Sequence, residues 1–315
     1  MAGRRTLLLL GLLSLLGSGA FSSPLWAQSY SRLQLDGKRI PWTFLSFQAK
    51  SFWVDLTTDV RLTPQSAESV QAELLENKRG DAVAIPAAGA YKLTNHTLVD
   101  STFQRPVKIA DQVWFDPRNA AALGRVQLRQ GQDDFKKICR FTSQGVFRHR
   151  IEPKDKQEAR QDPEQWTDVR DTFYAYDMDA LGCPYVSEPL LLIYIASAVD
   201  QWDNTNPLSF CIFGKRQLFN VQLKSAGLQT VKINFTEKKQ QTENHRQGEV
   251  NAQKIVLSAQ PLKSDLNEVE NFSFLGLHKE IAFFRDPASR LPVQVVGEIP
   301  TVGGVALKLH DVQLR

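Results

Sequence analysis

The sequence predicts a mainly β protein: a curled antiparallel sheet or half-barrel, laid out as a meander and packed with one buried helix. Period-two alternation of apolar and polar residues dominates the 315-residue chain. Turn residues interrupt that alternation at the intervals of a meander. One segment, residues 187–200, is apolar on every side and long enough for a helix. With 42% hydrophobic and 23% charged residues, the composition is that of a chain able to bury a core.

The first residues point to export. A basic start at Arg4 and Arg5, an apolar run from Leu7 to Leu16, and then small and turn-forming residues follow the order of a secretory signal. The run is short for a membrane span, which needs roughly 20 residues. Cleavage is expected after Ala27, with Ala20 as the alternative and an uncleaved anchor as the competing reading. The twin arginines fit a dedicated export signal weakly, and the strongly apolar run favours the ordinary unfolded route. No cysteine follows the run, which argues against a lipid-anchored N-terminus. The expected product is a periplasmic chain from Gln28 onward, a single large β-rich domain without a transmembrane span.

Along that chain, SFWVDLTTDVRL puts Phe52, Val54, Leu56, Thr58, Val60 and Leu62 on one face and Trp53, Asp55, Thr57, Asp59 and Arg61 on the other, a long half-buried strand. Residues 135–141, 147–151 and 170–176 alternate in shorter runs. Phe219, Val221 and Leu223 precede an expected turn at Ser225-Ala226-Gly227, with Val231, Ile233 and Phe235 on the return strand. Residues 255–259, 281–284, 293–296 and 305–309 complete the set. In residues 187–200, Ser187 is the expected cap and Pro189 sits in the first turn of about three helical turns. A shorter helix is expected over 66–75. Two charged stretches, 152–168 and 236–250, are nearly free of apolar residues and read as exposed polar loops.

No catalytic signature appears. The mild net charge of +4 is spread over both signs and gives no support for nucleic-acid binding. His96, His149, His245, His278 and His310 are scattered without metal-ligand spacing. Asp171, Asp177 and Asp179 crowd DTFYAYDMD, but the glycine turn and terminal Glu of a calcium loop are missing. There is no nucleophile elbow, phosphate loop or dinucleotide fingerprint. The expectation is therefore a protein that is not an enzyme and uses no cofactor or metal. Cys139, Cys183 and Cys211 enter an oxidising compartment as an odd number, so one internal bridge at most forms and one thiol is left over. Cys183 and Cys211 are nearest in sequence, and the pairing stays open. Trp42, Phe44, Phe47, Phe52, Trp53 and Trp114-Phe115 are an aromatic surplus, read either as a large β core or as an apolar concavity for a lipid-like ligand.

Near the end, IAFFRDPASRLPVQVVG holds two apolar runs around a polar link. Asp286-Pro287-Ala288-Ser289 is turn chemistry, and Pro292, lacking an amide proton, suits a strand start or an edge. Arg290 is expected to pair with Asp286 across this turn. The order of the DTFYAYD strand, the PLLLIYIASAV helix, paired strands and FFRDPASRLPVQVVGEIPTVGGVALKL resembles a family of bacterial periplasmic proteins of unknown function (DUF3108-like) over residues 170–309. Phe284, Asp286, Arg290, Pro292, Gly297, Gly304 and Leu309 carry the resemblance. It implies an antiparallel half-barrel wrapped near a helix, somewhat similar to lipoprotein-carrier folds, and no catalytic residue. Together these readings predict a non-catalytic periplasmic protein binding an apolar or lipid-like ligand in its concavity. The alternative is an envelope structural or assembly factor that holds a protein partner, and a hydrolase with a dispersed site is the third reading.

Overall fold

The computed structural model describes residues 34–50, 54–102, 104–262, 272–300 and 302–315. The expected signal at 1–27 and the side chains of Phe52 and Trp53 lie outside the described residues. In chain order the elements are β1 (Trp42–Lys50), β2 (Val54–Gln65), α1 (Ala67–Glu73), β3 (Ala90–Ser101), β4 (Gln104–Asp116), β5 (Ala121–Gln130), β6 (Phe135–Phe141), β7 (Gly145–Glu152) and β8 (Asp168–Ala175). There follow α2 (Met178–Leu181), β9 (Val186–Ser187), α3 (Leu192–Ala198), β10 (Leu208–Phe213), β11 (Leu218–Lys239), β12 (Thr242–Pro261), β13 (Lys279–Arg285), β14 (Pro292–Ile299) and β15 (Gly303–Leu314).

Among the described residues all fifteen strands belong to one curling sheet, so the mainly β expectation holds. β1 to β8 form one meander and β10 to β15 another, and β1 joins them by pairing with β15. β9 runs parallel to β10, and the far part of β11 runs parallel to β15 through Thr236↔Asp311. The long strand read from SFWVDLTTDVRL is β2, with Leu56, Thr58, Val60 and Leu62 buried as its alternation requires. Ser66 caps α1 by accepting from the Ser69 amide. α1 covers a small second core of Val70, Ala90, Trp114 and Leu123 on the outside of the sheet.

Three expectations need correction. First, residues 236–250 are exposed as read, but they are strand and not loop. β11 and β12 pair without a break from Val231↔Val250 to Lys239↔Thr242, with the turn at Gln240-Gln241. Ladder hydrogen bonds hold these polar residues extended, so side-chain hydrophobicity is not required. Second, Ser225-Ala226-Gly227 is a bulge inside β11 and not a turn; Gly227 takes a positive φ there, and Val231 and Phe235 continue the same strand. Third, the buried helix is shorter than expected. Ser187 lies in β9, and Glu188 is the cap, accepting from the Leu190 amide. A 3-10 turn (Pro189–Leu191) then leads into the seven residues of α3. The 152–168 stretch is surface structure as expected, with two short 3-10 turns.

α3 is the centre of the core. Every residue from Leu192 to Ala198 is buried. Trp42, itself fully buried, donates its Nε1 proton to Ser197 Oγ at 3.1 Å, and Tyr194 Oη donates to the Pro117 carbonyl at 2.6 Å. The Tyr194 ring meets Phe115 edge-on at 4.7 Å. Trp42, Phe47, Trp114 and Phe115 are thus core residues, and Phe44 is half-buried beneath the Arg61 guanidinium. Cys183 is bonded to Cys211, and Cys139 is a buried free thiol. Among the described residues no helix is long and apolar enough to cross a membrane.

At the closing hairpin, Pro292 opens β14 as expected. Asp286 is 3% exposed and accepts from the Ala288 amide (3.0 Å) and Ser289 Oγ (2.6 Å). The expected ion pair across the turn does not form. Arg290 adopts a positive φ, which turns its side chain away to Asp200, and Asp286 is met by Arg246 at 3.4 Å.

Candidate functional site

The curl of the first meander, with Leu275, His278 and Ile299 from the later part of the chain also lining it, bounds a concavity of about 1270 Å³. Strand register explains what lines it, because residues opposite each other on antiparallel strands share a face. One row across the concave face runs Leu62, Leu93, Val113, Arg125, Cys139, Arg148. The next runs Val60, Asn95, Asp111, Gln127, Lys137, Arg150, and the third Thr58, Thr97, Ile109, Arg129, Phe135. At the open side lie Leu56, Val99 and Val107. Each row is apolar or neutral on β2 and β3 and becomes charged on β5 to β7.

The concavity is therefore amphipathic, whereas the aromatic surplus had suggested an apolar one. Val54, Leu56, Val99, Val107 and Ile109 form an apolar wall, and Pro189 and Leu190, ahead of α3, also line the cavity. On the charged side, Arg125 donates to Asp111 at 2.8 Å and pairs with Glu188 at 2.7 Å. A polar chain extends from Asp111 through Asn95 (3.4 Å) to Thr58 and Thr97, with Thr58 Oγ1 2.7 Å from each of Asn95 Oδ1 and Thr97 Oγ1.

The electrostatics follow from that geometry. Glu188 is 1% exposed, and burial pushes its carboxyl up to about 7; Arg125 opposes the rise, and the charge of Asp111 adds to it. Burial disfavours the Arg125 cation, but Glu188 and Asp111 outweigh it and raise its pKa. Lys137 is driven down to about 7, first by burial and then by the cations Arg150, Arg125 and Arg148. The Cys139 thiol is pushed up by burial, against the pull of Arg125, Arg148 and Lys137. A thiol held neutral this way is a poor nucleophile.

Of the residues singled out by motif reasoning, His278 lines the concavity, and the closing-hairpin and aspartate groups lie elsewhere. Asp286, Arg290 and Pro292 build the closing hairpin and line no part of the concavity. Asp171 bonds His149 (2.6 Å) and Lys78, while Asp177 caps α2. Among the described residues no group of three or more His, Cys, Asp or Glu could hold a metal ion. Sequence reading missed Asp111, Arg125, Arg129, Lys137 and Glu188. For Arg125, Arg129 and Lys137 the signal is present in ALGRVQLRQ and FKKICRF, where polar residues alternate with apolar ones. The error lies in the direction: a charged series is expected to face outward, and here it faces into the curl.

Comparison with known proteins adds no relative. No family model, curated protein or solved structure matches this chain.

Proposed function

We propose that this chain is an exported, non-catalytic protein that holds a lipid-like ligand in the concavity of its half-barrel. One observation carries the reading: an open cavity of about 1270 Å³ with a continuous apolar wall on β2 to β4. That is larger than the roughly 300–1,000 Å³ typical of drug-sized ligand sites. Periplasmic location is supported by the basic-apolar-small order of residues 1–27 and by the Cys183–Cys211 bond, which persists in oxidising compartments. Resemblance to the DUF3108-like family belongs to the same proposal and rests on the residues from 170 to 309. The alternative, an assembly factor acting through protein contacts, has in its favour the exposed Leu228 and Val256 on the β11–β12 ribbon.

The test is lipid extraction and mass spectrometry of protein released from cells by osmotic shock, together with titration of an apolar fluorescent probe. A co-purifying amphiphile is expected, with probe binding reduced by Val99→Trp, which fills the apolar wall. A protein that carries no lipid and binds no probe would refute the carrier reading and shift attention to the outer ribbon. Retention of an intact Met1 on a membrane-pelleted protein would refute the export part.

A further inference from the structure

The buried acids of the concavity are taken, and Asp133, which also lines it, is exposed and pairs with neither Lys137 nor Arg129. Asp111 and Glu188 share Arg125, and Glu152 is paired with Arg150. No acidic side chain among the described residues pairs with Lys137 or Arg129. Arg129 Nε is buried and has no hydrogen-bond partner. Lys137 Nζ lies 3.8 Å from the centroid of the Phe135 ring, and the Arg150 guanidinium carbon lies 4.8 Å from the same ring. Ring contact moderates a half-buried cation but leaves its charge uncompensated. Cross-strand neighbours do not help, since Lys137 stands opposite Gln127 and Arg150, and Arg129 opposite Ile109 and Phe135. Withdrawing such cations from water without counter-charge is costly. The arrangement lacks one anion.

We propose that the concavity selects an amphiphile with an anionic head group, a carboxylate or a phosphate, seated at Lys137 and Arg129 with its tail on the apolar wall. This rests on the reading of the concavity as a ligand site. Register sets the direction of the tail: from Arg129 the row steps to Ile109, and Val107, Val99 and Leu56 continue toward β2. Four strand spacings of roughly 4.8 Å separate β6 from β2, so head and tail sites lie about 19 Å apart along the sheet, a span suited to a long acyl chain. Arg129 can offer its buried Nε to an anion oxygen, and the Lys137 ammonium adds a point charge beside it.

The experiment compares cis-parinaric acid with its methyl ester by fluorescence titration of the full protein at about pH 6.5. The acid should bind at least about tenfold more tightly than the ester, the effect of about 1.4 kcal/mol from a charge-assisted contact. Lys137→Met should shrink the preference for the acid, with Arg129 supplying what remains, while the ester still binds, which also shows that the variant is folded. Lys137→Arg should keep the preference. Displacement of the probe by laurate, dodecyl phosphate and dodecanol then identifies the head group, with either anion competing better than the alcohol. Equal binding of acid and ester, or dodecanol competing as well as the anions, would overturn the head-group assignment and leave the lipid site standing. Binding of neither probe would overturn both.

Discussion

Replacing Arg125 with methionine removes the single cation that two buried carboxylates share. Glu188 and Asp111 have side chains only 1% and 9% exposed, and both lie within 2.8 Å of the guanidinium. Methionine occupies similar space, so the loss is mainly electrostatic. Stripping one partner from a buried pair costs about 3–5 kcal/mol. The cost depends on pH in a direction fixed by the acids. The folded-state pKa of Glu188 is already raised from 4.5 to about 7 by burial. A raised folded pKa means that stability from the neutral acid is present below the unfolded value and is lost as pH climbs through the folded value. For wild type that slope spans pH 4.5 to about 7 and amounts to roughly 3 kcal/mol. Without Arg125 the carboxyl should hold its proton to still higher pH, and the slope should continue upward. Urea unfolding followed by tryptophan fluorescence at about pH 5 and about pH 8.5 should therefore show a penalty larger by about 1–3 kcal/mol at the higher pH. A penalty equal at both pH values, or below about 1 kcal/mol at the higher one, would refute the shared-cation account.

Further expectations concern the core, the bridge, the hairpin and the cavity. Leu192→Ala, in the fully buried α3, should cost about 2–5 kcal/mol in urea unfolding. Thiol counting on the denatured, unreduced protein should find one reactive cysteine, Cys139, and breaking the Cys183–Cys211 bond, which spans 28 positions, should cost about 3–4 kcal/mol. Asp286→Ala leaves the Ala288 amide and Ser289 Oγ without their buried acceptor and should cost about 1–3 kcal/mol by the same unfolding assay. Affinity for cis-parinaric acid should fall as pH rises past about 7 while that for the ester stays flat. Lys137, which faces Arg125, Arg148 and Arg150, loses its proton there, and Glu188 gains charge over the same window.

Much of the fold was legible because half-burial imposes alternation, as in β2, where Leu56, Val60 and Leu62 face the core. Strands β3, β4 and β5 were hidden for one physical reason. In β3, β4 and β5 the inward series includes Asn95, Thr97, Asp111, Arg125 and Gln127, so the expected apolar rhythm is broken at the positions that line the cavity. The distal β11–β12 ribbon was misread for a different reason. Its two faces are both wet, and backbone pairing, the contact with β15 and the Arg246 ion pairs keep it extended without an apolar side. The 3-10 turn and Glu188 cap escaped notice because Ser187 is the commoner capping residue, while Glu188 also has a buried cation to meet.

The place of β15 carries a consequence for how the chain reaches this state. It lies against β14, β1 and the far part of β11 at once, and it sets Trp42 opposite Leu314. Until β15 docks, β1 and β14 each present a bare strand edge, and the two meanders have no common seam. Contacts so distant in sequence form late, because a long loop must be closed before they stabilise anything. Slow, β15-limited folding should leave a window in which those edges are open to other chains. Substitutions that weaken β15 would then lower the yield of folded protein by aggregation, even where the assembled sheet tolerates them.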